Sequence, residues 1–242
     1  MPNPIDLSLY LVLDANLCPT PEQMVETALE AVRGGATVVQ LRAPEWKKRK
    51  QLDAALLLKK ALCGTGVPLI IDDHLDIALI CRADGVHVGQ ADLPVNEVRK
   101  LMGKNVIIGL SVGSQEEMQT VTEDVDYLGI GPVFATTTKK DAGKAIGLQE
   151  LKALKKQTSL PVVAIGGINE SNAKETMLTG VDAKGLLRLY AWKSWVNISP
   201  SSNLRGASMP ISFLPVYGKS CSRQSARGNT SSSMHQIQSA PA

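Results

Sequence analysis

The side chains able to do chemistry recur at the ends of short apolar runs. Gln40 and Arg42 close one run, and Asp72, Asp73 and His74 close the next. A segment Asp84-Gly85-Val86-His87-Val88-Gly89-Gln90-Ala91-Asp92 follows, then Gly109-Leu110-Ser111. Thr136-Thr137-Thr138-Lys139-Lys140 and Gly166-Gly167-Ile168-Asn169 complete the series. Gln40 and Arg42, two residues apart on an extended chain, share a face and suit an anion. Asp73 and Asp92 have the chemistry for Mg2+, which takes one or two carboxylates, waters and phosphate oxygens rather than a full protein cage. Three hydroxyls before two lysines could cradle a pyrophosphate, and Gly166-Gly167 could offer backbone N–H groups to a phosphate. Each feature also has an ordinary reading: a surface Arg, Asp73 as a helix cap, His87 packed in a core, a solvated Thr/Lys loop.

Regular elements must carry these groups. Nearly continuous apolar runs at Leu9–Asp14, Thr37–Arg42, Val67–Asp72, Gly85–Gly89, Val106–Ser111, Asp126–Gly131 and Pro161–Gly166 read as strands buried on both faces. Helix-length stretches alternate with them: one opens at Thr20-Pro21-Glu22-Gln23, others span Glu45–Leu62, Asp73–Cys81, Pro94–Met102, Ser114–Val121, Leu148–Lys156 and Glu170–Leu178. Thr20 is the expected N-cap, with Pro21 at the first helical position and Gln23 as capping-box partner. Seven β-α units in series predict parallel strands with right-handed crossovers, in the rhythm of a TIM (β/α)8 barrel. No GxGxxG follows the first strand, and the polar groups come from many strand ends, both of which argue against an open doubly wound sheet. In a barrel all those ends share one rim, where ligands bind.

Composition sets outer limits. The chain has 242 residues, 20% of them charged, and a mean hydropathy of +0.00. It has no run of about 18 apolar residues, so no membrane partner is expected. Its start, Met1-Pro2-Asn3-Pro4, lacks a secretory pattern. Four scattered cysteines without a CxxC pair argue against zinc or a disulfide framework and fit a cytoplasmic setting. No convincing His/Asp partner order supports a hydrolase triad around Ser111. The charge is uneven: residues 183–242 hold seven Lys or Arg and no Asp or Glu, which leaves 19 basic against 23 acidic residues in 1–182.

Taken together, Leu9-Tyr10-Leu11-Val12, Val39-Gln40-Leu41-Arg42, Ile71-Asp72-Asp73, the Asp84–Asp92 segment, Gly109-Leu110-Ser111, Gly129-Ile130-Gly131-Pro132-Val133-Phe134, the Thr/Lys loop and Ile165-Gly166-Gly167-Ile168 resemble thiamine phosphate synthase over about residues 8–182. The resemblance implies a Mg2+-dependent transferase. It would condense a 4-amino-2-methyl-5-(diphosphooxymethyl)pyrimidine with a 4-methyl-5-(phosphooxyethyl)thiazole, giving thiamine phosphate and pyrophosphate. It implies Gln40, Arg42 and Asp72 at the pyrimidine diphosphate and Asp73 and Asp92 at the metal. It assigns Ser111 and Lys139 to catalysis at the diphosphate, and Thr136, Thr138 and Gly167 to the thiazole phosphate. Small-molecule substrates are the expected partners, a homo-oligomer is open, and no nucleic-acid role is expected, because the basic tail contains no recognisable module. A thiazole tautomerase of the same fold and a non-catalytic phosphate-binding remnant are the rival readings.

Three departures from the family pattern stand out. Asp72 occupies a position where Asn is usual. Pro44 replaces a Lys, with Lys47-Lys48-Arg49-Lys50 following. No eighth β-α unit is recognisable, so the barrel is expected to end at 182 and to be incomplete at its eighth unit, with 183–242 a basic, Ser-rich tail, disordered or poorly packed, and with low stability and impaired activity. A shifted reading frame is the expected origin of this abrupt change, since codon degeneracy allows Gly-Leu-Leu-Arg-Leu, read one base earlier, to spell Gly-Val-Ala-Ala-Val. Sequencing the gene around codon 183 should reveal a strand and helix in another frame; their absence from every frame refutes the shift.

Overall fold

The structure is a computed structural model, and the described residues are 5–136 and 143–186. Eight parallel strands close into a ring in sequence order. They are β1 (Leu9–Asp14), β2 (Val38–Arg42), β3 (Leu69–Asp72), β4 (Gly85–Val88), β5 (Ile107–Val112), β6 (Tyr127–Ile130), β7 (Val162–Ala164) and β8 (Ala183–Leu186). The helices between them are α1 (Pro21–Arg33), α2 (Lys48–Ala61), α3 (Leu75–Cys81), α4 (Val95–Met102), α5 (Gln115–Met118), α6 (Gly147–Lys155) and α7 (Ala173–Met177). This is the TIM-barrel architecture that the β-α rhythm predicts.

Strand alternation divides the apolar residues into two sets. Leu11, Leu13, Val39, Leu41, Leu69 and Ile71 point outward and join the helices' buried faces in the large outer core. Tyr10, Val12, Val38, Ile70, Tyr127 and Val163 point inward and fill the barrel. Gln40, Arg42, Asp72, His87 and Ser111 share the inward parity, toward the C-terminal ends of their strands. Cross-strand register then sets Asp14 beside Arg42 and Asp72 beside His87.

Local sequence accounts for several element ends. Thr20 Oγ1 accepts from the Gln23 N–H at 3.2 Å, so Thr20 is the N-cap of α1 with Pro21 in its first turn. α2 begins at Lys48 rather than Glu45: the buried Gln51 amide donates to the Ala43 and Trp46 carbonyls and holds that loop out of the helix. Asp73 does not cap α3. It lies at φ 57 with its N–H donating to the His87 carbonyl, and His74 occupies the cap position.

The eighth strand, which the apolar pattern does not announce, has backbone pairs to β1 and β7. The edges of β1 and β7, which a barrel incomplete at its eighth unit would leave open, therefore have a partner over this stretch. The rest of the eighth unit, and the 187–242 part of the tail, lie outside the described residues. A device at the barrel floor explains how the strand enters. Asp84, Asp126 and Asp182 each immediately precede or stand near the start of an even-numbered strand. Each accepts from a backbone N–H of the preceding strand (Leu69, Ile108 and Val162) and pairs with a basic residue of an earlier helix. Those partners are Lys59, Arg99 and Lys155, all at 2.7 Å. Asp182 thus brings β8 in as its two counterparts bring in β4 and β6.

Burial opposes ionisation of Asp182, but the Lys155 ammonium and the Val162 N–H prevail and hold its carboxyl below the ordinary range. A lowered carboxyl stabilises the fold above its unfolded value, and that contribution is lost as the pH falls through the folded one. Asp182→Ala should therefore raise hydrogen exchange at the Val162 amide about tenfold or more at neutral pH, with the difference shrinking near pH 3. Exchange unchanged at pH 7 would show that Asp182 does not anchor this end of the barrel.

Candidate functional site

The C-terminal rim opens into a cavity of about 680 Å³, well within the range of small-molecule sites. Gln40, Arg42, Asp72, Asp73, Asp92, Ser111 and Thr136 all border it. Gly167 does not, although Gly166 does. The helix after Gly166-Gly167 starts only at Ala173, and the Asn172 side chain donates to the Gly167 carbonyl at 3.1 Å, so the Gly-Gly pair leads into a loop rather than a helix N-terminus. Thr138 and Lys139 lie outside the described residues.

Arg42 is fixed from two sides. Its Nη1 donates to Asp14 Oδ2 at 2.8 Å and its Nε lies 3.3 Å from Asp72 Oδ2. The Asp14 side chain is wholly inaccessible, so its charge depends on this pair and on the Asn16 N–H. Asp14 escaped the sequence reading because a lone Asp closing the first run carries no spacing signal. Asp72, expected at the ligand, also holds Arg42.

Asp73 takes up its left-handed backbone on the rim, a conformation more accessible to Asp than to most residues. Asp92 folds back so that its Oδ2 accepts from the Gly89 N–H at 2.8 Å. A Cβ on residue 89 would sit 3.0 Å from that oxygen, so the glycine makes room for the carboxylate. Beside them His74 Nδ1 accepts from Lys48 Nζ at 2.9 Å; burial, then the Lys48 charge, pulls its imidazole below the ordinary value.

The opposite wall comes from β5 and its helix. Gln90 donates to the Ser111 carbonyl at 2.8 Å and accepts from Thr120, tying the β4 loop to β5. Glu117 accepts from the Gly113 N–H at 2.6 Å. The Ser114-x-x-Glu117 spacing is a capping-box signature that could have marked this residue in the sequence. His87, expected as a packed core histidine, is buried but borders the cavity, with Tyr127 and Ser111 on its two ring nitrogens. Tyr10 and Tyr127 line the cavity too; in the sequence they read only as members of apolar strand runs.

Among the described residues the charged lining is Asp72, Asp73, Asp92 and Glu117 against Arg42 and Lys144. With Arg42 already between two carboxylates, these described groups together present net negative charge to a phosphorylated ligand. The donor set therefore fits a divalent cation: Asp73 and Asp92 offer carboxylate oxygens, and a ligand phosphate would complete the shell. No cluster of three or more His, Cys, Asp or Glu among the described residues forms a cage by itself.

Comparison with known proteins matches residues 9–187 to the family described as thiamine monophosphate synthase. The chain belongs to that family. The thiamine-phosphate synthase of Laribacter hongkongensis (strain HLHK9) is 52% identical over 178 residues, covering 74% of this chain and 84% of that protein. The thiamine-phosphate synthase of Desulfitobacterium hafniense (strain Y51) is 46% identical over 184 residues, covering 76% and 88%. A solved thiamine phosphate pyrophosphorylase from Pyrococcus furiosus superposes with a TM-score of 0.67 at 36% identity, over 76% of this chain and 86% of that one. The chain is thus a transferase of the thiamine biosynthetic family, and its family match runs through β8. No helix among the described residues is long and apolar enough to cross a membrane.

Removing the Arg42 guanidinium would leave Asp14 charged and enclosed. Arg42→Ala should cost about 3 kcal/mol in urea denaturation. Arg42→Lys should recover less than half of that, because one ammonium cannot reproduce the planar fork between two carboxylates. A loss below about 1 kcal/mol for Arg42→Ala would show that the pair is not needed to offset the buried charge.

Proposed function

We propose that this chain condenses 4-amino-2-methyl-5-(diphosphooxymethyl)pyrimidine with 4-methyl-5-(phosphooxyethyl)thiazole to give thiamine phosphate and pyrophosphate. The observation that carries the reading is the convergence of Gln40, Arg42, Asp72, Asp73, Asp92 and Ser111, from four strand ends, on one cavity. Gln40, Arg42 and Asp72 bind the pyrimidine diphosphate, and Thr136 and Thr138 serve the thiazole phosphate, with Gly167, next to the cavity-lining Gly166, placed there by the family resemblance alone. Asp73 and Asp92 hold Mg2+, which when bound supplies positive charge to the diphosphate.

The pyrimidine amino group stabilises a methylene cation, so the carbon–oxygen bond breaks with its electron pair leaving on pyrophosphate. The lone pair of the thiazole nitrogen then forms the new carbon–nitrogen bond, and the positive charge passes to the thiazolium. No protein nucleophile takes part. Ser111 donates to the pyrimidine diphosphate substrate and Lys139 stabilises the departing pyrophosphate, an assignment that for Lys139 rests on the family resemblance alone. The cavity walls exclude water from the cation. The barrel is the working domain, and the tail beyond it lowers turnover.

Purified chain should release pyrophosphate and form thiamine phosphate only with both substrates and Mg2+ present. Asp73→Asn and Asp92→Asn should each lower kcat/KM at least 100-fold and raise the Mg2+ concentration needed for half-maximal rate. Replacing residues 187–242 with the corresponding C-terminus of the Laribacter hongkongensis relative should raise turnover. Release of pyrophosphate that persists undiminished after chelation, or no condensation by either form of the chain, refutes the reading.

A further inference from the structure

Five side chains form one hydrogen-bonded line across the inside of the barrel. Gln40 Nε2 donates to Tyr10 Oη at 3.0 Å. Tyr10 Oη lies 2.7 Å from Tyr127 Oη, and Tyr127 Oη lies 2.9 Å from His87 Nδ1. His87 Nε2 lies 2.9 Å from Ser111 Oγ. Both phenols are buried, at 2% and 1% exposure, and all five side chains border the ligand cavity, with Gln40 and Ser111 at the two ends of the line. Glycine makes the line possible: a Cβ on Gly109 would strike both the Tyr127 ring and His87 Nδ1, and one on Gly129 would press on the His87 ring.

The line has a direction. Tyr10 Oη, accepting from Gln40, has one proton, and its other neighbour is Tyr127 Oη. Tyr127 in turn passes its proton to His87 Nδ1, which leaves the imidazole proton on Nε2 facing Ser111 Oγ. With the Gln40 amide nitrogen toward Tyr10, any other order leaves a buried phenolic proton without an acceptor, which is costly; the reversed line requires the amide to be turned over so that Oε1 accepts from Tyr10. Burial holds both phenols well above their ordinary range, so they stay protonated donors. At one end the Gln40 amide has its nitrogen toward Tyr10, and no residue among those described donates to its Oε1. At the other end Ser111 accepts from His87 and keeps its own proton to give away.

We propose that Tyr10 and Tyr127 are positioning residues that set the polarity of the ligand cavity. Through this line Gln40 presents a carbonyl acceptor and Ser111 a hydroxyl donor. The cavity then takes a heterocycle with an exocyclic N–H donor at the Gln40 end and an acceptor at the Ser111 end, and rejects the oxo counterpart. This specificity rests on the synthase reading above, whereas the direction of the line does not.

Two measurements test the proposal. Nitrogen-15 NMR of the full chain should show His87 as the neutral Nε2–H tautomer, with Tyr127→Phe shifting it toward a tautomer mixture. An Nδ1–H tautomer in the parent chain overturns the direction. Calorimetry should compare 4-amino-2-methyl-5-(phosphooxymethyl)pyrimidine with its 4-oxo analogue. The parent chain should prefer the amino compound, and Tyr127→Phe and Tyr10→Phe should each shrink that preference about tenfold or more while keeping the fold by circular dichroism. Equal weakening for both ligands in both variants reduces the tyrosines to packing and overturns the proposal. A parent chain that binds neither phosphate refutes the synthase reading and the specificity with it, and the imidazole tautomer still decides the direction. If Tyr127→Phe does not fold, Tyr10→Phe carries the comparison.

Discussion

Closing eight strands into a ring leaves too little room inside for a large side chain at every inward position. The interior is therefore a compromise between filling and omission. Gly85, Gly109 and Gly129 stand where a Cβ would strike Ile70, Tyr127 or His87. The space they release is taken by two phenols, an imidazole and an amide, the polar groups that floor the cavity. Packing at the middle of the barrel and ligand recognition at its top are thus one arrangement: moving any of these rings would both open a void and turn a hydrogen bond away from the site.

Above that floor, charge rather than volume governs. Arg42 neutralises the enclosed Asp14 and reaches Asp72, so its guanidinium is rigid before any ligand arrives. Preorganisation of this kind spares the site the cost of ordering a long side chain on binding. Among the described residues the remaining carboxylates give the rim a negative wall, which is unsuited to a bare diphosphate and well suited to one that arrives with a divalent cation. The two faces of the barrel use aspartate differently. At the floor, Asp84, Asp126 and Asp182 are consumed by backbone N–H groups and basic partners; at the rim, Asp73 and Asp92 stand at the cavity.

Much of this was legible in the sequence. Apolar runs buried on both faces marked strands one to seven, and a two-residue period put Gln40 with Arg42 on one face. Turn and cap residues marked the helix starts only in part: Thr20 caps α1 as its type suggests, whereas Asp73 adopts a left-handed backbone instead of capping α3. β8 escaped because its four residues, Ala-Lys-Gly-Leu, contain no apolar run, and its place is fixed by neighbours β1 and β7 and by the anchor at Asp182.

The sequence by itself determined the β-α order, the rim on which the polar groups gather, and the family. Only the tertiary structure decided that His87 borders a cavity, that Asp14 is the partner of Arg42, and that Tyr10 and Tyr127 join Gln40 to Ser111. Periodicity reports which side of a strand a residue occupies, because that follows from local backbone geometry. It carries no information on which distant strand lies opposite, and hydrogen bonds between residues 10 and 127 exist only once the ring has closed.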